Sequence, residues 1–180
     1  MATSRAVSNR FLSVLDVDRH DMLGLVLSAA LPLAVFVIAN GVAEINGMLP
    51  LFFAPFDLPG WLGAALHLGS LPLFGVARWM VTGQGSAGRR AGWWVVALTA
   101  GTIVLPFLVA PLDSLALSIL SFALLLVGLG AALRVAAVDP KAGLVMAPGM
   151  AWMGFSAFVG LSFAAGWSPP FAVTNSQGGA

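Results

Sequence analysis

Long apolar stretches separated by short polar segments dominate the chain, and their spacing predicts its fold. Each of five such stretches has the roughly 20 apolar residues that a helix needs to cross a bilayer. They lie at about 22–42, 61–81, 91–109, 115–135 and 142–166. The pattern predicts an all-α, polytopic membrane protein with a five-transmembrane-helix bundle in one domain, residues 22–167. A cytoplasmic N-terminal segment, residues 1–21, precedes this domain, and a flexible C-terminal tail, residues 168–180, follows it.

The composition agrees with a membrane protein and excludes several classes of function. Of the 180 residues, 59% are hydrophobic and 8% are charged, whereas soluble domains carry about 25% charged residues. Lipid must therefore replace water around most of the surface. A net charge of +1 gives no electrostatic basis for binding nucleic acid. Cysteine is absent, which excludes disulfides, thiolate catalysis and cysteine-ligated metal sites.

All basic residues fall on one side of this five-helix map. Three precede the first helix, three lie at or after the end of the second, and two separate the fourth from the fifth: Arg5, Arg10, Arg19, Arg78, Arg89, Arg90, Arg134 and Lys141. The connections on the other side hold only acidic charges, Glu44, Asp57 and Asp113. Short loops rich in Lys and Arg stay in the cytoplasm. The pattern thus predicts a cell-membrane protein with a cytoplasmic N-terminus and an external C-terminus.

The connections between the predicted helices differ in length and character. Residues 44–60 form the one long connection, which contains three prolines and the aromatic residues Phe52, Phe53 and Phe56. A loop this apolar either lies on the membrane face or folds over the helix bundle as a lid, since long loops in compact proteins are often functional. Residues 83–88, rich in Gly and Ser, are predicted to form a turn.

Small residues recur within the second and fourth apolar stretches. Gly63, Gly69, Gly128 and Gly130 are examples. Small side chains let helix backbones approach closely in lipid. Two interpretations follow, which are packing within one chain and a homodimer interface.

A series of short motifs appears in a fixed order through the second half of the chain. Pro111 opens the Ala- and Leu-rich run PLDSLALSILSFALLL, and Arg134-Val135 is followed by AGL from Ala142. Upstream lie Pro59 and Trp61 in FDLPGW, and Pro148, Ala151, Trp152 and Phe155 lie downstream in MAPGMAWMGF. In order and spacing these motifs resemble the TspO/MBR family of translocator or tryptophan-rich sensory proteins. The resemblance covers roughly two-thirds of the chain and implies a five-helix membrane fold.

The resemblance also implies a ligand site. Members of the family bind porphyrins and other flat apolar molecules in a pocket between the helices, beneath the first long loop. The matched positions imply that Pro59, Trp61, His67, Pro148, Trp152 and Phe155 line such a pocket here, with a porphyrin or haem-like ligand in place of a tightly held cofactor. This chain departs from the family pattern at His67 and Gly149, where the family has Trp and Tyr. Several of the family's pocket tryptophans are replaced, so its porphyrin photochemistry is not carried over. Tyrosine is absent altogether, so its cholesterol-recognition pattern is not carried over either.

His67 and Trp152 are the strongest candidates for a binding role on physical grounds. An ionisable side chain deep in an apolar segment usually faces the bundle interior or a wet cavity. His67 therefore either contacts a bound tetrapyrrole, as a hydrogen-bond donor or axial ligand, or forms a hydrogen bond to a neighbouring helix. Trp152 lies too deep to be an interfacial anchor, which leaves packing and ligand stacking as its two interpretations.

These patterns predict a non-enzymatic protein that binds a hydrophobic or tetrapyrrole-type small molecule and has a sensory, regulatory or transport role. No metal site or catalytic residue is predicted, because the outer acids have no spacing suited to either. A structural or assembly subunit without a ligand is the alternative. An intramembrane enzyme is a third class, and it would require a polar partner for His67.

Overall fold

Five long α-helices account for nearly all of the chain that the computed structural model describes, residues 21–56 and 58–167. They are α1 (Asp21–Ile45), α2 (Gly60–Thr82), α3 (Gly85–Leu108), α4 (Ser114–Val138) and α5 (Pro140–Trp167). Each is long and apolar enough to cross a membrane, and no strand occurs among the described residues. The predicted all-α, five-helix membrane fold is thereby confirmed. The predicted N-terminal segment, apart from Asp21, and the predicted tail lie outside the described residues.

Helices α2, α3, α4 and α5 form a ring, and α1 packs on the outside of it. Helix α2 contacts α3, α3 contacts α4, α4 contacts α5, and α5 returns to α2, while α1 packs against α2 and α3. Only Pro32 and Phe36 are buried on α1, so most of its surface is left for lipid. The short connections make sequential helices antiparallel.

A proline and a glycine bring α1 close to α2. Pro32 has no backbone N–H, so the Ser28 carbonyl four residues earlier lacks its usual helical donor. Gly75 of α2 lies against this carbonyl, and a Cβ at that position would overlap the Ser28 oxygen. Glycine is therefore required at the point where the two backbones meet.

The connection between α2 and α3 is shorter than predicted. Residues 83–88 are predicted as a turn, but α3 already begins at Gly85, so only Gly83 and Gln84 separate the helices. Gly85 has φ of 68°, a left-handed conformation that glycine adopts readily. Gly88 faces the end of α2 so closely that a Cβ would overlap the Val81 carbonyl oxygen. The glycines in this segment thus permit helix packing and do not extend the turn.

The other two short connections are stabilised by aspartates. The Asp113 carboxylate accepts a hydrogen bond from the Ala116 N–H at 2.7 Å, which caps the start of α4. The Asp139 carboxylate accepts one from the Lys141 N–H at 2.9 Å. Pro140 takes the first position of α5, where its missing N–H is not needed.

The two halves of the ring are packed differently. The packed half contains the ends of α2 and α4 and the starts of α3 and α5, and it carries all of the described basic residues. Its core includes side chains with no exposed surface: Phe74, Ala77, Val81, Val95, Leu98, Ala131, Val135, Ala142 and Met146. The open half, at the other end, contains residues 46–59, which connect α1 to α2.

Candidate functional site

A cavity of about 640 Å³ lies in the open half. The connecting loop, α2, α3, α4 and α5 all contribute lining residues, and α1 contributes none. The loop provides Leu51, Phe52, Phe53 and Ala54, and the helices provide His67, Leu105, Pro106, Val109, Leu117, Ser118, Ser121, Trp152, Ser156, Ala157 and Gly160. The lining is mostly apolar with a few polar side chains, and this volume falls within the usual range for small-molecule sites.

Residues 51–54 hold the loop against the helices around this cavity. The Leu51 N–H donates a hydrogen bond of 2.9 Å to the Pro106 carbonyl, near the end of α3. The Phe52 ring lies edge-on to the His67 ring, with centroids 5.5 Å apart. The ring centroids of Phe53 and Trp152 are 6.3 Å apart. Of the two arrangements predicted for this loop, the structure has the one folded over the bundle.

A glycine allows the loop backbone to reach α2. A Cβ at Gly63 would overlap the Phe53 carbonyl oxygen, so only glycine allows this approach. Phe56, farther along the loop, is in the left-handed region with φ of 59°. Such a conformation is uncommon for a bulky residue and is found most often at turns and binding sites.

His67 is bonded to a carbonyl that a proline leaves without a helical donor. Its Nε2 lies 2.8 Å from the Thr102 carbonyl oxygen of α3. In a regular helix this carbonyl would accept the N–H of residue 106, but that residue is Pro106. In the membrane an unpaired carbonyl costs several kcal/mol. The His67 side chain therefore completes the hydrogen bonding of α3 from the neighbouring helix.

This contact also fixes the form of the imidazole ring. A carbonyl oxygen only accepts hydrogen bonds, so the His67 Nε2 must carry the hydrogen. In the neutral ring, Nδ1 is then an acceptor, and it has no donor among the described residues. Of the two interpretations of His67, the hydrogen bond to a neighbouring helix is present. Its predicted contact with a ligand would have to use Nδ1.

Three serines are among the residues that line the cavity. Ser118 and Ser121 lie three residues apart on one face of α4, and Ser156 is on α5. The Ser156 hydroxyl donates to the Met153 carbonyl at 3.1 Å. The Ser121 hydroxyl has no partner among the described residues. Serines spaced for one face of an otherwise apolar helix were the sequence signal for this surface, and sequence analysis did not use it.

The structure brings together some of the predicted site residues and separates others. His67 and Trp152 line the cavity. Phe155 lies outside the lining, with its ring tilted against that of Trp152 and the two centroids 5.7 Å apart. Pro59 and Trp61 lie at the start of α2 outside the lining, and Trp61 is 70% exposed. Six residues separate Trp61 from His67, which at about 100° per residue places the two on different faces of α2.

Pro148 lies outside the lining because the cavity does not extend that far along α5. Beside it, a Cβ at Gly149 would lie 2.8 Å from the Phe74 ring and 2.9 Å from the Ser70 Cβ. These two side chains of α2 occupy the space next to α5 at this level. A tyrosine at position 149, as in the TspO pattern, would not fit there without rearrangement.

Titratable and metal-ligating side chains are few among the described residues of this region. No group of three or more metal-ligating side chains occurs in the part of the chain that the structure describes. His67 is the only titratable side chain among the residues that line the cavity. The arrangement is suited to holding an apolar molecule by contact and a few hydrogen bonds.

The fold and cavity define a multi-pass α-helical membrane protein with a mostly apolar cavity among its helices. The chain matches no protein-family model, no curated protein and no solved structure. The resemblance to the TspO/MBR family therefore rests on the sequence motifs given above.

Proposed function

We propose that this protein reversibly binds a flat, hydrophobic small molecule of tetrapyrrole type in the cavity beneath residues 51–54. Binding would serve a sensory, regulatory or transport role, as the resemblance to the TspO/MBR family implies. The observation that carries the proposal is the cavity itself. Its volume of about 640 Å³, its apolar walls and its few polar groups are the usual properties of a small-molecule site.

Three aromatic side chains in the lining favour a flat ligand. Phe52, Phe53 and Trp152 all line the cavity and come from two separate parts of the chain. Aromatic rings favour offset or edge contacts with other π-systems, worth about 0.5–1.5 kcal/mol per pair. A planar macrocycle would contact the loop and α5 at once, so its binding would hold the loop closed.

The proposed setting is the cell membrane, with the cavity at the external side. The one-sided distribution of basic residues supports this orientation. It predicts that a tag at the C-terminus is accessible from outside intact cells, while an N-terminal tag is not. A cytoplasmic C-terminus would refute the orientation. Cross-linking in membranes would test whether the chain also forms a homodimer.

Tryptophan fluorescence tests the ligand proposal directly. Purified protein in lipid nanodiscs is titrated with deuteroporphyrin IX dimethyl ester, and quenching in empty-disc controls is subtracted. We expect saturable quenching that is reduced in Trp152→Phe and in Ser121→Ala. Trp93→Phe is the matched control, since Trp93 is 71% exposed and lies outside the cavity.

The result also separates the alternative function. A structural or assembly subunit without a ligand predicts no saturable binding in any variant. Binding that is equal in wild type, Trp152→Phe and Ser121→Ala would place the porphyrin elsewhere and remove the cavity from the proposal. Circular dichroism of each variant verifies that helix content is retained.

A further inference from the structure

The cavity and the described basic residues lie at opposite ends of the helix ring. Arg78 lies in the last part of α2, Arg89 and Arg90 in the first part of α3, Arg134 late in α4 and Lys141 at the start of α5. The cavity residues lie at the other ends of these helices. At 1.5 Å per residue, each basic position is between about 16 and about 24 Å along the axis from the nearest cavity residue of the same helix. No lysine or arginine side chain reaches across that distance.

None of the fifteen residues that line the cavity is Asp, Glu, Lys or Arg, and His67, its one titratable side chain, already donates to the Thr102 carbonyl. Among the described residues, the charge nearest to the lining in sequence is Asp113, which lies between the lining residues Val109 and Leu117. Its carboxylate caps α4, so this part of the rim is negative. The sequence of residues 46–59 contains no Lys or Arg. An anion entering the cavity would lose hydration without gaining any described Lys or Arg as a partner.

The unpaired polar groups of the cavity suit an uncharged molecule. The Ser121 hydroxyl both donates and accepts, and the His67 Nδ1 accepts in the neutral ring. The Trp152 indole N–H, a donor, makes no hydrogen bond to another described residue. Together they would pair with hydroxyl, carbonyl or N–H groups, each of which is neutral.

We infer that the cavity selects uncharged apolar molecules bearing a few hydrogen-bonding groups and discriminates against anions, including tetrapyrroles with free carboxylates. This inference rests on the proposed function and narrows its ligand class. The one-sided charge distribution thereby sets ligand choice as well as orientation in the membrane.

A pair of porphyrins that differ in their free carboxylates tests the inference. Deuteroporphyrin IX has two ionisable propionate groups, and in its dimethyl ester both are neutral methyl esters. Both are titrated into wild-type protein in nanodiscs of zwitterionic lipid at pH 8, with partitioning into empty discs subtracted. We expect the ester to bind at least about tenfold more tightly than the diacid, because the carboxylates find no cation.

A gain-of-function variant provides the second arm. Val109→Arg places a guanidinium at the cavity rim, near the end of α3, where its head can reach water. We expect it to raise the affinity for the diacid about tenfold, by charge pairing, and to leave that for the ester within about threefold. Val104→Arg, on an exposed side of α3 outside the lining, is the matched control and should change neither affinity.

The outcomes distinguish the two proposals. Diacid binding equal to or tighter than that of the ester in wild type would overturn charge discrimination while leaving the proposed function standing. An unchanged diacid affinity in Val109→Arg, with the ester still bound, would also count against the inference. Saturable binding of neither porphyrin would reject the proposed function and the inference with it.

Discussion

The packed half and the open half of the ring are built from the same four helices but use them in opposite ways. In the packed half, Phe74, Val81, Val95 and Val135 have no exposed surface. In the open half the same helices separate around a cavity of about 640 Å³. The larger buried core lies in the packed half, while the open half keeps a smaller cluster of Phe36, Leu71, Ile103 and Phe107 beside the cavity. We therefore expect the packed half to contribute most to holding the helices in position.

The backbones of the two halves are also joined differently. In the packed half, helix backbones approach closely at Gly88, and the connections between helices are as short as one or two residues. In the open half, Pro106 interrupts the bonding within α3. The freed Thr102 carbonyl is bonded by His67, and the Pro106 carbonyl is bonded by Leu51 of the loop. The proline thus links α2, α3 and the loop at the wall of the cavity.

The largest effect on stability is expected from removing a buried side chain in the packed half. Phe74→Ala removes a fully buried ring that fills the space beside Gly149. We expect a loss of about 3–5 kcal/mol in the free energy of unfolding, measured by denaturant or thermal unfolding in detergent. Phe158→Ala is the control, since Phe158 is 68% exposed. Equal losses in the two variants would contradict the division into two halves.

A smaller loss is expected from adding a single methyl group where backbones meet. Gly88→Ala would force its Cβ against the Val81 carbonyl, which is a backbone atom and cannot move aside cheaply. We expect destabilisation of about 1–3 kcal/mol with little change in porphyrin affinity. At Gly69 nothing lies within 4 Å of an added Cβ, so Gly69→Ala should stabilise α2 by about 0.5–1 kcal/mol. Thermal unfolding of both variants compares them, and a stabilising Gly88→Ala would be inconsistent with this contact.

These glycines show how far the sequence predicts the fold. Apolar length and charge position predict the five helices well, because lipid requires each span to satisfy its own backbone. They do not predict that α3 begins at Gly85. The glycines of residues 83–88 read locally as a turn, and only the packing of Gly88 on Val81 shows that they serve a close approach between helices.

Some cavity residues were predictable from the sequence, but the contacts between them were not. His67 and Trp152 stand out in sequence because a polar ring and a deep tryptophan are unusual in a membrane segment. Pro106 marks Thr102 as a carbonyl without a helical donor, but the sequence does not say which helix supplies one. That depends on the register between α2 and α3, which arises from side-chain packing over the whole ring.

A double-mutant cycle tests this hydrogen bond in the open half. His67→Leu leaves the Thr102 carbonyl without a donor, at a cost of about 1–3 kcal/mol. Pro106→Ala restores a backbone N–H at position 106, which takes that carbonyl instead. We expect His67→Leu to cost about 1 kcal/mol less in the Pro106→Ala background, measured by thermal unfolding. Strict additivity would show that the carbonyl is not what His67 stabilises.

The smallest effect on stability, and the sharpest contrast between the halves, is expected at Ser121. Its hydroxyl faces the cavity without a partner among the described residues, so Ser121→Ala removes no internal hydrogen bond. We expect the free energy of unfolding to change by less than about 0.5 kcal/mol. Ligand affinity should fall about 2- to 12-fold, corresponding to the loss of one hydrogen bond.

Ser162→Ala provides the control, because Ser162 is exposed and already bonded to the Phe158 carbonyl. A loss of stability without a loss of affinity would assign Ser121 to packing. Affinity lost at constant stability is the expected property of a half whose shape is maintained from the other end of the molecule.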